Sequence, residues 1–240
     1  MIFIPAIDIR AGKCVMLTQG KIEKETIYSN DPVFMAKLWQ AKGAKRLHVV
    51  DLDGAFRGTP QHSDCVAQIR AAYNGVIQLG GGIRDLKVVE QLIEKGIDKL
   101  ILGTLMVYDP ELTRKILKKH GKNIIGAIDI VKGKIAIGGW KEVTDRDAVE
   151  FVKELKGEGV QEIIVTDVTR DGTLEGPNLE DIKQIIKESG LVVYTSGGIG
   201  SMEDIKKIKA LENEGLAGAI IGKALYNDAI KYEDLVALNK

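Results

Sequence analysis

The chain has little with which to cross-link itself or hold a metal. Two cysteines, Cys14 and Cys65, and no Cys-x-x-Cys pair are too few for a disulfide framework. The three histidines, His48, His62 and His120, are scattered, which argues against a metal centre and against a histidine-based triad. A surplus of either charge is also missing. Lys plus Arg and Asp plus Glu each total 34, so the net charge is zero and a dedicated nucleic-acid surface is not expected. No apolar run approaches the roughly 18 residues of a membrane span. The opening MIFIPAIDIRAG has no basic start and meets Asp8 too early for a secretion signal. A reducing cytoplasm is the expected location.

What is present is an alternation. Short apolar runs occur at 2–8, 46–52, 75–80, 99–103, 123–129, 162–167, 191–196 and 218–222. Each is nearly continuous in apolar residues, as strands buried on both faces are. Between them lie amphipathic, Lys/Glu-rich segments. DPVFMAKLWQAKG (31–43) and DPELTRKILKKHG (109–121) each offer Asp as N-cap, Pro at the first helical position and a closing Gly. Further helices are expected near 63–73, 86–95, 146–157, 178–188, 202–212 and 223–238. Eight strand–helix units, without a Pro/Gly/Ser-rich linker, predict one α/β domain over 1–240, a closed (β/α)8 barrel. A doubly wound open sheet is the alternative.

The units repeat. FIPAIDIRAGK (3–13) matches IIGAIDIVKGK (124–134) at seven of eleven positions. VVDLDGAFRGTP (49–60) pairs with VTDVTRDGTLEGP (165–177), LGGGI (79–83) with SGGI (196–199), and ILGTL (101–105) with IIGKAL (220–225). Four βα units written twice predict half-barrels over about 1–121 and 122–240, related by a pseudo-two-fold axis.

In such a barrel the βα loops carry the chemistry. Asp8 ends the first strand and Asp129 the fifth, on opposite sides of the mouth, where two carboxylates suit acid and base work. Either alone is as well explained as a turn cap. Asp51, Asp53, Asp167 and Asp171 also reach this rim, and some of them must be structural. Glycine clusters supply a second signal: Gly81 and Gly82 with Arg84 after strand 3, Gly103 and Thr104 after strand 4, Gly197 and Gly198 after strand 7, and Gly222 with Lys223 after strand 8. Glycine lets a backbone N–H approach an anion closely, although tight turns use glycine in any case. As two opposed pairs they predict a ligand phosphorylated at both ends. No metal centre is expected.

IPAIDIRAGKCVMLTQG, VVDLDGAFRG, LGGGIRD, GGW and VTDVTRDGTLEGPN together resemble the HisA family, the phosphoribosylformimino-aminoimidazole carboxamide ribotide isomerases of histidine biosynthesis. The resemblance covers the whole chain. It implies a cofactor-free Amadori rearrangement of a bisphosphorylated aminoaldose ribotide to the aminoketose, with no obligatory protein partner. It assigns the base to Asp8. For the acid, Asp129 is the first choice and Asp171 of the RDGT stretch its rival. Thr166 is expected to support the reacting centre or simply to satisfy its own strand. Gly172 and Thr173 are expected near substrate. Trp140 is expected either to stack on the imidazole ring or to pack as a lid residue. His48 reads as interstrand filling. The segment 13–30 reads as a long βα loop serving as a lid. Three rivals remain open: the sister cyclase that works with a glutaminase, a bifunctional isomerase that also takes phosphoribosylanthranilate, and a non-catalytic phosphosugar-binding barrel.

Overall fold

A computed structural model describes residues 1–238; the last two positions of the expected domain, 239 and 240, lie outside the described residues. The strands are β1 (Ile2–Arg10), β2 (Lys13–Thr18), β3 (Lys21–Ser29), β4 (Arg46–Asp51), β5 (Val76–Gly80), β6 (Lys99–Leu102), β7 (Ile124–Val131), β8 (Lys134–Ile137), β9 (Glu142–Asp147), β10 (Glu162–Asp167), β11 (Val192–Ser196) and β12 (Leu216–Ile221). Eight of these pair in parallel in the order β1, β4, β5, β6, β7, β10, β11, β12, and β12 returns to β1. The sheet is therefore closed, with helices between its strands: a (β/α)8 barrel rather than an open sheet.

The helices begin where the sequence puts their caps. Asp31 accepts from the Phe34 N–H at 2.9 Å with Pro32 opening the helix Pro32–Ala41, and Asp109 does the same for Leu112, at 2.9 Å, before Pro110–His120. Ser201 and Asp204 form a reciprocal capping box at the start of Met202–Ala210. Each cap satisfies N–H groups that the first helical turn leaves without an acceptor. The apolar stripes of these helices then cover the outer face of the barrel, where Ile7, Leu47, Ile77, Leu100 and Ile163 are fully buried.

Two expectations differ in detail. Residues 13–30 are not an irregular loop. They form the antiparallel hairpin β2–β3, which continues β1. Its second strand, KIEKETIYS, is mostly exposed, so no buried face imposes the apolar alternation by which strands are recognised. The expected helix 223–238 is two short helices, Lys223–Tyr226 and Tyr232–Ala237, separated at 227–231. Asp228 is left-handed in that break, with φ 57°, a conformation no helix interior tolerates. A second hairpin, β8–β9, continues β7.

Strand residues alternate inward and outward, and the inward ones sort by height. At the bottom, Arg46, Lys99 and Glu162 meet: Lys99 Nζ donates to Glu162, Arg46 lies 3.7 Å from the same carboxylate, and the Tyr194 hydroxyl donates to it at 3.3 Å. The Arg46 guanidinium also covers the Tyr194 ring, 5.1 Å from its centroid. Above this plug is an aliphatic waist of Ile4, Ile125, Ile164 and Ile220. Further along the strands come the polar groups of the mouth, Thr166 two residues beyond Ile164, and Asp8 and Asp129 four residues beyond Ile4 and Ile125. Glu162 thus ties Arg46 and Lys99 of the N-terminal half of the chain to its C-terminal half. Glu162→Ala leaves the two cations facing one another, and it is expected to lower stability by about 2 kcal/mol without changing the mouth. Urea denaturation at two salt concentrations checks this: unchanged stability would mean that the cluster contributes nothing net.

Candidate active site

One cavity of about 250 Å³ occupies the C-terminal mouth, and Asp8, Asp129, Thr166 and Asp171 all line it. The path from sequence to this arrangement is short. Asp8 lies two residues beyond Ala6 on β1, and Asp129 two beyond Ala127 on β7, so both point inward above the waist. Thr166 of β10 is in register with Asp129. Asp171 arrives differently, from the loop that follows β10.

The three carboxylates interact. Burial pushes Asp8 up to about 8, and the negative charge of Asp171 adds to the effect. Burial together with the charge of Asp129 pushes Asp171 up to about 7, against the opposing pull of Lys223. Asp171 therefore stands electrostatically between the other two. Asp129 is also raised by burial, but hydrogen bonds from the side chains of Trp140 and Thr166 favour its ionised form. At neutral pH the set cannot be fully ionised, and at least one proton is held by Asp8 and Asp171 together.

The other rim acids have structural duties. Asp51, 2% exposed, accepts from the N–H groups of Gly54 (2.8 Å), Gln61 (2.6 Å) and His62 (2.9 Å), and so ties down the loop after β4. Asp53 accepts from the Ala11 N–H and pairs with His62, each at 2.7 Å. Asp167 holds Thr169 and Asn178 at the two ends of the loop after β10. His48 is bonded across the strands to Gln78, at 2.9 Å, and burial pushes it down to about 4. It also reaches the cavity wall, which its reading as filling did not anticipate.

Gly81, Gly82, Arg84, Gly103, Thr104, Trp140, Gly172, Gly197, Gly198, Gly222 and Lys223 all line the same cavity; Thr173 does not. The Thr173 hydroxyl donates to the Arg170 carbonyl at 2.7 Å, inside its own turn. Strands β5 and β6 are neighbours, as are β11 and β12, and the two pairs stand four strands apart around the ring. The glycine clusters thus face one another across the mouth. Local packing also demands these glycines. A Cβ on Gly81 (φ +108°) would fall 2.1 Å from the Asp51 carbonyl oxygen, and one on Gly198 (φ +78°) 2.3 Å from that of Gly176. Several of the candidate polar groups are already engaged. Thr104 Oγ1 accepts from the Gly138 N–H at 3.0 Å, and Lys223 Nζ donates to Thr18 Oγ1 at 3.2 Å and to the Gly172 carbonyl at 3.0 Å.

The two hairpins meet above the carboxylates. The tip of β2–β3 lies on Trp140, so closely that a Cβ on Gly20 would fall 2.6 Å from the indole Cε3. Gln19 at this tip donates from its side chain to the Thr169 carbonyl and from its backbone N–H to the Asp171 carbonyl. These contacts were not anticipated from the sequence; the long segment 13–30 was the signal that pointed there. Among the described residues, no group of three or more His, Cys, Asp or Glu is placed to hold a metal ion, and no helix is long and apolar enough to cross a membrane.

Fold and site together define a barrel enzyme with interacting, half-buried carboxylates at its mouth. The chain belongs to the family described as histidine biosynthesis protein, whose profile matches residues 2–231. It is 45% identical, over 99% of its length and 97% of the relative's, to the 1-(5-phosphoribosyl)-5-((5-phosphoribosylamino)methylideneamino)imidazole-4-carboxamide isomerase of Desulforamulus reducens. It is 44% identical to the isomerases of the same name from Desulforudis audaxviator, over its full length and 92% of the relative's, and Syntrophotalea carbinolica, over its full length and 99% of the relative's.

The raised carboxylates carry a stability cost with a definite sign. Folded Asp8 and Asp171 keep protons that the unfolded chain releases above about pH 4, so folding weakens as pH rises from there through about 7 to 8. Asp171→Asn removes one of these groups. It is expected to stabilise the fold by about 2 kcal/mol at pH 8, and by less at pH 5. Denaturation at both pH values checks this; an equal effect at both would contradict the raised values.

Proposed function

We propose that this chain catalyses the isomerisation for which its relatives are named: the Amadori rearrangement of the bisphosphorylated aminoaldose ribotide to its aminoketose. The observation that carries the reading is the half-buried Asp8–Asp171–Asp129 set in a cavity also walled by the opposed glycine clusters. A substrate with a phosphate at each end would span those clusters, with Arg84 and Lys223 contributing positive charge and its reacting ribose lying over the carboxylates. The proposed pseudo-two-fold half-barrel repeat gives this arrangement its reason, since a doubled scaffold offers two equivalent anion subsites. The hairpins after β1 and β7 support it.

The chemistry needs one protonated and one ionised carboxyl at the same moment. An acid protonates the ribose ring oxygen, and the ring opens to a protonated imine. A base then takes the C2 proton to give the enolamine, and tautomerisation gives the ketone. Asp8 and Asp171, sharing about one proton at neutral pH, supply both roles. With Asp8 as base, the shared proton must lie on Asp171 when the ring opens. In the free enzyme the higher value of Asp8 favours the opposite placement, so on this reading bound substrate moves the proton to Asp171. Asp129, whose ionised form Trp140 and Thr166 favour against the upward push of burial, supplies negative charge beside the imine when it is ionised. This assigns the acid to Asp171 rather than to Asp129, the first choice from the sequence. Trp140 lines this cavity and is the proposed neighbour of the imidazole ring. The names of the relatives favour the isomerase over the sister cyclase.

A steady-state assay with the ribotide, without metal or glutaminase, tests the function. Turnover is expected, and its absence in folded protein would refute the reading. The rate should follow a narrow bell, with limbs near 7 and 8, because only the singly protonated pair is active. Asp8→Asn and Asp171→Asn should each lower kcat by at least about 100-fold, with substrate binding retained. Full activity in Asp171→Asn would return the acid role to Asp129.

A further inference from the structure

The tip of the β2–β3 hairpin is a two-residue turn in which Gln19 and Gly20 are both left-handed, with φ of 55° and 67°. Asn–Gly or Asp–Gly is the relaxed sequence for such a turn, and a glutamine in the first position is strained. Local turn preference therefore does not explain Gln19, and its contacts do. The side-chain Nε2 donates to the Thr169 carbonyl at 2.8 Å, and the backbone N–H donates to the Asp171 carbonyl at 2.9 Å. Asparagine, one methylene shorter, would suit the turn but fall short of Thr169. Lys223 adds a second tie by donating to both Thr18 and Gly172. The loop rests directly on β2, since a Cβ on Gly172 would lie 2.3 Å from the Leu17 carbonyl oxygen.

These ties act on a residue under electrostatic load. The Asp171 carboxylate faces Asp8 and Asp129, and both like charges disfavour its presence in the cavity when ionised. Its own loop is anchored at its ends, by the Val168 N–H to the Ile130 carbonyl at 3.0 Å and the Gly176 N–H to the Gly198 carbonyl at 2.8 Å. The backbone bonds of the turn around Asp171 are local: the Arg170 N–H to the Asp167 carbonyl at 3.1 Å, and the Thr173 N–H to the Arg170 carbonyl at 3.0 Å. We propose that Gln19 is a positioning residue: by latching the hairpin tip to the backbone at 169–171 it holds the Asp171 carboxylate in the cavity, so that seating the hairpin and completing the carboxylate set are one event. The inference rests on the reading above that Asp171 takes part in proton transfer.

Gln19→Asn separates this role from a merely structural one, because it relaxes the turn while breaking the side-chain half of the latch, the bond to Thr169, and keeps the backbone bond to Asp171. The variant is expected to melt at or above the wild-type temperature. Its amides in 168–174 should exchange with deuterium about 10-fold faster or more, and its kcat should fall about 10- to 100-fold, as displacement of a reacting group by the order of an ångström would cause. Unchanged exchange in that segment would overturn the latch. Faster exchange with wild-type kcat would overturn the positioning role. Asp171→Asn, assayed beside it, keeps the two ideas apart. If that variant retains turnover, the reading of Asp171 fails, while the exchange data still judge the latch.

Discussion

Three carboxylates crowded into one buried mouth are the constraint to which the rest of the molecule answers. A single buried carboxylate is costly, and Asp8, Asp171 and Asp129 each feel burial and, through Asp171, one another. Such a set persists only if the surrounding structure holds it rigidly. The closed barrel fixes Asp8 and Asp129 through strand register, the bonds from Thr166 and Trp140 hold Asp129, and the hairpin and Lys223 hold the loop of Asp171. The aliphatic waist beneath keeps the mouth apart from the charged plug at the base of the barrel. On the proposed reading, stability is thereby exchanged for a proton held near neutral pH, which the proposed rearrangement uses.

Much of this could be read from the residues because it is local or periodic. Helix starts at Asp31 and Asp109 follow from cap chemistry within four residues, and the inward placement of Asp8 and Asp129 follows from two-residue alternation on strands of opposite sides. The glycine clusters were visible for a mixed reason. Gly81 and Gly198 are demanded by neighbouring backbone whatever the ligand, so their presence in the sequence reports close packing first.

What sequence reasoning missed depends on contacts between loops far apart in the chain. The central position of Asp171 follows from where the loop after β10 folds back, and no periodicity encodes that. The β2–β3 hairpin escaped because its outer strand is exposed and carries no apolar alternation. Asp51, Asp53 and Asp167 look like Asp171 in sequence. Only their partners, the N–H groups of Gly54, Gln61 and His62, the pair with His62, and the side chain of Asn178, mark them as structural. Even Lys223, a natural candidate for an anion, is engaged in holding the hairpin to the loop. The parts that assemble the mouth are thus also the parts that touch it.

The most direct test of the shared proton is a carboxyl carbon-13 NMR titration of the ligand-free protein, with Asp8→Asn and Asp171→Asn used to assign the signals. The account predicts two aspartates titrating near 7 and 8, and it predicts that removing Asp171 lowers the titration of Asp8. Ordinary titration of both groups near pH 4, each indifferent to loss of the other, would contradict it.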